Sequence, residues 1–414
     1  MIRAIALITV LGLLATTTSA ENWPGWRGPT SNGVAAGDGF PTKWNQEENI
    51  DWKVDLPGRG GSTPAVWENT IFVTSGDEGK NLLLALDRSG NETWRLELGS
   101  ERPGKHKKGS GANPSPTTDG DHVFAYFKSG DFACVDFDGK IQWRMNLQDE
   151  FGEDTLWWDL GTSPVLTREF VVVAVMQTGP SYLAAFDRAT GKLAWKQSRD
   201  LGAPEEAAQS YSTPIVTDTK GTETIYVLGA DHVTAHDATD GHEIWRVGGL
   251  NPTNHKYFRS IASPAVSDGI LVAPYARGDL FEAIRLGGRG DVTTTHIAWT
   301  EKGIGADVPT PVAHAGRTYL CGDKGLVVCF DIRTGERLWE GTLEKNRNAY
   351  SSSPILADGK LYVTREDGKT FVVATDKFEV LAENELNELT VATPVFVDGK
   401  ILIRTMESLY CVGK

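Results

Sequence analysis

Two adjacent tryptophans, Trp157 and Trp158, stand in an acidic loop running from Asp154 to Asp159. A Trp face at the mouth of a channel can stack a planar quinone or a sugar ring, or it can simply pack the loop. Arg59, Lys107 and Arg259 occupy loops of the same kind. They could converge on an anionic ligand, because Arg makes paired contacts with carboxylates, or they could pair with the chain's many acids. Asn113, Tyr211, Asp307 and Tyr350 complete the candidate binding set. No residue earns a catalytic role: there is no Gly-x-Ser-x-Gly elbow, phosphate loop or His-Glu-x-x-His. His232 and His236 share one face of an expected strand, flanked by Asp231 and Asp237. A metal would need a third ligand, and His236 occupies a slot held elsewhere by Leu86, Phe186 and Phe330, so core packing is the expectation and no metal ligand is assigned.

What must position those loops is a repeat. Ser/Thr-Pro dipeptides introduce apolar strands at Pro64, Pro116, Pro164, Pro214, Pro264, Pro311, Pro354 and Pro394, at intervals of 52, 48, 50, 50, 47, 43 and 40 residues. That period is the signature of propeller blades. The chain is therefore expected to be all-β: an eight-bladed β-propeller of four-stranded antiparallel blades. Its varied polar loops, each joining an outer strand to the next inner strand, gather at one channel mouth.

Each blade repeats a second pattern. Ala185-Phe186-Asp187…Gly191…Trp195 recurs as Ala235…Trp245 and Cys329…Trp339, and in shorter form as Ala85…Trp94 and Cys134…Trp143, always with Gly four residues before Trp. Asp bonds turn amides, Gly accepts positive φ, and the fixed offset turns every Trp to the same strand face, toward the neighbouring blade. Cys134, Cys329 and Cys411 share a slot with Ala85, Ala185, Ala235, Ala283 and Ala374, which asks for a small buried side chain rather than a disulfide. The seventh blade has Leu381 near the Trp place, and the fifth carries an insert, Gly287 to Thr295, before Trp299. The last blade begins at Pro394 and the chain ends at Lys414, before an outer strand can form. Residues 50–56, with Trp52, are expected to supply that strand and close the ring.

The 414 residues carry a formal charge of −14, which argues against nucleic acid as a partner. Arg3, the apolar run Ala4 to Leu14 and the small residues Thr18-Ser19-Ala20 read as a signal peptide spanning 1–20. Residues 21–49, with Trp23, Trp26 and Trp44, are expected to lie against a single propeller formed by residues 50–414. No later segment reads as an integral membrane span. The expected product is an exported monomer, periplasmic or extracellular.

The Ala-x-Asp…Thr-Gly…Trp pattern of 185–195, with its Cys-headed variant at 329–339, resembles the tryptophan-docking motif of the pyrroloquinoline quinone (PQQ) repeat family. That family includes eight-bladed quinoprotein dehydrogenases and an outer-membrane assembly lipoprotein. Trp23-Pro24-Gly25-Trp26-Arg27-Gly28-Pro29 and Gly287-Gly288-Arg289-Gly290-Asp291-Val292-Thr293 are similar to an exported PQQ-like subgroup. The resemblance spans about residues 22–414 and implies the fold. The vicinal Cys-Cys pair, the haem-binding Cys-x-x-Cys-His and the lipidated cysteine of those relatives are absent here. Two functions follow as expectations. One is a non-catalytic binding or scaffold protein, with a protein or glycan partner over the loop face. The alternative is a quinoprotein oxidoreductase acting on an alcohol or sugar, for which the resemblance implies PQQ and calcium as cofactors.

Overall fold

A computed structural model describes residues 20–413, so the segment read as a leader lies outside the described residues except for Ala20. The strands assort into eight sheets, each built on an antiparallel set of four, and one sheet carries a fifth strand. Blade three shows the common plan: Val165–Leu166 inside, then Phe170–Val175, Tyr182–Asp187 and Leu193–Ser198 at the rim. The middle strands are buried on both faces, which explains their unbroken Val and Leu runs. In the eighth blade the rim strand is Ile50–Asp55, paired antiparallel with Ser408–Val412, and Trp52 stands opposite Cys411. The ring closes as the sequence predicts.

The docking pattern has a clear physical basis. Each small residue lies directly across from a rim Trp: Ala185 faces Trp195, Ala235 faces Trp245, Cys134 faces Trp143 and Cys329 faces Trp339. The cysteines are free and buried. Each indole then reaches the next blade. Trp52, Trp94, Trp143, Trp195, Trp299 and Trp339 donate Nε1–H to Arg88, Phe137, Arg188, Ala238, Ile332 and Thr375 carbonyls, at 2.8–3.2 Å. The turn glycine has two reasons to be glycine. Gly191 has φ of 68°, and a Cβ there would sit 2.7 Å from the ring of Trp143 in the preceding blade.

Two blades depart from this plan. In blade seven the register places Val372 across from Ala382, and a bulge follows. Ala382, not Leu381, therefore occupies the Trp place, and Val372, not Ala374, occupies the small-residue slot. Trp44 from the N-terminal segment stands in: it stacks on Tyr362 with ring centroids 6.5 Å apart, within the cluster that includes Val372. In blade five the insert folds back on blade four. Gly290–Asp291 pairs in parallel with Trp245 and Arg246, adding a fifth strand that covers an outer edge.

Candidate functional site

The repeat that sets the fold also lines the channel. The residue before each blade proline is Thr63, Ser115, Ser163, Thr213, Ser263, Thr310, Ser353 or Thr393. Each backbone N–H donates to the hydroxyl of the next blade, from Thr63 to Ser115 and onward until Thr393 returns to Thr63, over 2.8–3.3 Å. These eight hydroxyls form a closed belt, and all line one cavity of about 470 Å³.

The N-terminal segment closes the far end of this cavity. Trp23 pairs with Val66 of blade one, Pro24 accepts from Thr118 of blade two, and Val34 bridges Leu356 of blade seven. Arg27, fully buried, donates to the carbonyls of Pro311, Pro354 and Asn32 at 2.6–2.9 Å. With no acid beside it, burial lowers its pKa to about 9. Trp26, next along, lines the cavity just beyond the belt. The channel is blind, with an aromatic floor.

The open end is built from side chains. Asp159 accepts from the amides of Lys105 and His106 at 2.7 and 2.9 Å and from the buried Lys128 ammonium at 2.5 Å, which folds the 103–109 loop over the mouth. Gly109 is required there, since a Cβ would lie 2.1 Å from the Asp159 carboxylate. Lys108 reaches from that loop to Glu366 of blade seven, 2.7 Å away. Across the mouth, Trp158 donates its indole N–H to Glu206 at 2.9 Å. Arg259 lies 3.4 Å from the same carboxylate and also pairs with Asp307 at 3.2 Å. Arg277 approaches Glu206 at 3.7 Å from a turn where Ala276 and Arg277 both have positive φ, 53° and 56°. Asp323 accepts the Asp307 and Val308 amides, and its burial raises its pKa.

Of the nine candidate binding residues, Asn113, Trp158, Tyr211 and Arg259 line the cavity. Asn113 takes the Ser110 amide and hydroxyl, and Tyr211 donates to Gln209 while accepting from the Trp158 amide. Asp307 stands behind Arg259. Arg59 holds the Lys107 carbonyl at 2.8 Å, and the Lys107 side chain faces solvent. Trp157 is 43% exposed at the mouth without lining the cavity. Tyr350 turns away from the mouth to pack on Gly325 and Phe371. His236 is buried between the Gly241 carbonyl and the Thr234 hydroxyl, and burial drives its pKa down to about 4. Among the described residues no three His, Cys, Asp or Glu side chains gather as a metal cage. Sequence reasoning placed His106, Lys108, Asp159, Glu206 and Glu366 in polar loops and turns and Trp26 in the N-terminal segment, but singled none of them out as a site residue. It also quoted the belt's Ser/Thr-Pro dipeptides without recognising their hydroxyls as a site.

Comparison with known proteins agrees with this architecture. An outer membrane protein assembly factor BamB from Yersinia pestis is 24% identical over 352 residues, covering 82% of this chain and 80% of the relative. BamB from Moraxella catarrhalis superposes with a TM-score of 0.63 at 15% identity, over 87% of this chain and 95% of that one. A europium-containing methanol dehydrogenase gives 0.71 at 11% identity, over 94% and 98%. These identities establish a shared propeller and no shared chemistry. The family model described as outer membrane protein assembly factor BamB matches residues 34–200, 129–377 and 290–405, nearly the whole ring, and the chain belongs to that family.

Proposed function

We propose that this chain is an exported, non-catalytic binding propeller, periplasmic or extracellular, whose ligand or partner sits over the loop face at the channel mouth. The domain plan that goes with this reading is a leader at 1–20, a floor and packing segment at 21–49 and a single monomeric propeller from 50 onward. Among the described residues no helix is long and apolar enough to cross a membrane. The similarity to an outer membrane protein assembly factor supports a protein partner in the cell envelope; a glycan is the other partner proposed, on the loop face alone.

The observation that carries the reading is the state of the mouth's charges. Lys108, Lys128 and Arg259 each already face an acid, and Glu206 is engaged by Trp158 as well. A catalytic base or an anion clamp needs a group whose charge is not already neutralised, and these cations are each held against a carboxylate; Arg259 Nε, without a hydrogen-bond partner of its own, still lies 3.4 Å from Glu206.

The alternative, a PQQ- and calcium-dependent oxidoreductase, draws on the Trp158 face. The residues do not fit the cofactor, however: a polycarboxylate finds no unpaired cation on the cavity wall, and no carboxylate cage offers calcium a site among the described residues. Titration with PQQ and calcium, followed by dye reduction with alcohols and sugars, decides between the two. The expected result is no saturable PQQ binding and no turnover. Saturable binding with turnover would replace the first reading by the second.

A further inference from the structure

We propose that the blind cavity is a binding site for a neutral mono- or disaccharide, held between the aromatic floor at Trp26 and the aromatic lip at Trp158. The proposal rests on the reading of the channel mouth as the ligand site, and names the ligand's chemistry.

The belt supplies the first argument. A Ser or Thr hydroxyl carries one proton and two lone pairs. Each belt oxygen spends one lone pair on the preceding blade's amide. Thr63 gives its proton to the Thr393 carbonyl, while the other seven hydroxyls, eight less one, have no acceptor of their own among the described residues. Each of those seven therefore offers the cavity one donor and one acceptor. A carboxylate, which only accepts, would use half of this capacity, and an ammonium, which only donates, would use the other half. Alcohol groups do both, so a polyol is the complementary ligand.

Charge supplies the second argument. The cavity-lining Lys108 and Arg259 are paired with Glu366, and with Glu206 and Asp307, while Asp159 holds Lys128. An added ionic ligand would have to break one of these pairs or lie uncompensated beside them, and either costs free energy. Shape supplies the third. Trp158 is 43% exposed, with its indole N–H on Glu206 and the His106 ring set edgewise to it at 6.0 Å, so the ring is held in one orientation with part of its surface open. Indoles line both ends of the cavity, Trp26 with the Arg27 guanidinium 5.9 Å from its ring centre and Trp158 at the mouth, and such rings suit the apolar C–H faces of a pyranose; about 470 Å³ has room for a mono- or disaccharide.

The test is calorimetric and fluorescence titration of the purified protein with glucose, galactose, N-acetylglucosamine and maltose, beside glucuronate and glucosamine as charged counterparts. The expected result is saturable binding of at least one neutral sugar, at least ~10-fold tighter than its charged counterpart, with a change in Trp emission. Trp158→Ala should weaken it ~10-fold or more, as should the isosteric pair Thr213→Val with Thr310→Val, each variant first checked for a native melting transition. Trp26→Phe, which keeps an aromatic floor, should retain binding. Failure of every neutral sugar at roughly 100 mM, or equal binding of charged and neutral sugars, overturns the proposal. So does neutral-sugar binding that persists undiminished in both the Trp158 and the belt variants. Sugar binding together with PQQ-dependent turnover would uphold this inference and overturn the non-catalytic reading. Absence of both sugar binding and turnover would overturn this inference alone.

Discussion

The two ends of the channel are closed by opposite chemistry. At the far end a guanidinium with no acid partner is held by three backbone carbonyls, beneath a belt of amide-to-hydroxyl bonds. At the mouth, closure is a set of ion pairs between side chains of different blades and loops: Lys108 with Glu366, Lys128 with Asp159, Arg259 with Asp307. Neutral backbone bonds in a buried place are indifferent to salt. The Lys108–Glu366 and Arg259–Asp307 pairs are partly reached by solvent and so are screened, whereas the buried Lys128–Asp159 pair anchors the loop beneath them and is screened little. The floor is thus part of the fold, whereas the mouth is an adjustable closure on top of it. A ligand entering the cavity has only the second to negotiate.

The largest effect should come from the floor. Arg27→Ala strips two buried proline carbonyls of their donor and leaves a cavity, and is expected to lower stability by about 3 kcal/mol or more in urea unfolding. A loss below about 1 kcal/mol would mean that the N-terminal segment merely rests on the ring and that the two ends are not so different. The blade frame provides the next scale. Gly191→Ala meets both a positive φ and the Trp143 ring, while Gly269→Ala, at φ of 75°, meets nothing within 4 Å. The second should cost about 1 kcal/mol and the first about 2–3, and their difference measures Trp docking itself. Equal costs would show that the interblade contact yields without penalty.

The same contrast explains what could be read in advance. Blade number, ring closure through Trp52 and the role of the rim tryptophans were legible because eight sectors solve one packing problem with one pattern. The mouth follows no such period. Lys108 and Glu366 are 258 positions apart, and only closure of the ring brings them together. Loop residue types pointed to Asn113, Trp158, Tyr211 and Arg259. Type alone does not set direction, so Tyr350 packs inward on Gly325 and Lys107 faces water. Blade seven departs for a local reason: with Trp supplied from position 44, no internal landmark fixes the register, so Leu381 lies beside the Trp place, which Ala382 occupies, and the small-residue slot falls on Val372 instead of Ala374.

A smaller effect is expected at the mouth. Glu366→Gln removes the partner of Lys108 and Ser351, on a carboxylate that is itself buried. It should lower stability by roughly 1 kcal/mol at low salt, with a smaller loss at about 0.5 M salt, while Arg27→Ala keeps its full cost at both. Matching salt responses in the two variants would erase the distinction between the ends.

The smallest effect is the net pH response of the unaltered chain, where two frame groups oppose one another and can masquerade as the mouth. Two buried frame groups titrate abnormally. Burial lifts Glu282 from 4.5 to about 7, with Thr300 as its one hydrogen-bond partner. Between those values the native state keeps a proton that the unfolded chain has released, so stability falls as pH rises through the window. Burial lowers His236 from 6.5 to about 4, so below pH 6.5 the unfolded chain takes up a proton that the native state refuses, and stability falls as pH drops. The two slopes oppose one another over their shared range. Glu282→Gln should leave the His236 slope alone, with stability rising from pH 4 to 6.5. His236→Phe, which installs the residue found at the equivalent Phe186 and Phe330, should leave the Glu282 slope, with stability falling from pH 4.5 to 7. Neither change touches the cavity wall. Urea midpoints measured across pH in each background therefore isolate the Glu282 and His236 slopes, and the response that survives in the double variant is the sum of the mouth and of the turn aspartates Asp87, Asp187 and Asp331, whose hydrogen bonds hold their pKa values low and whose contribution is lost only in acid.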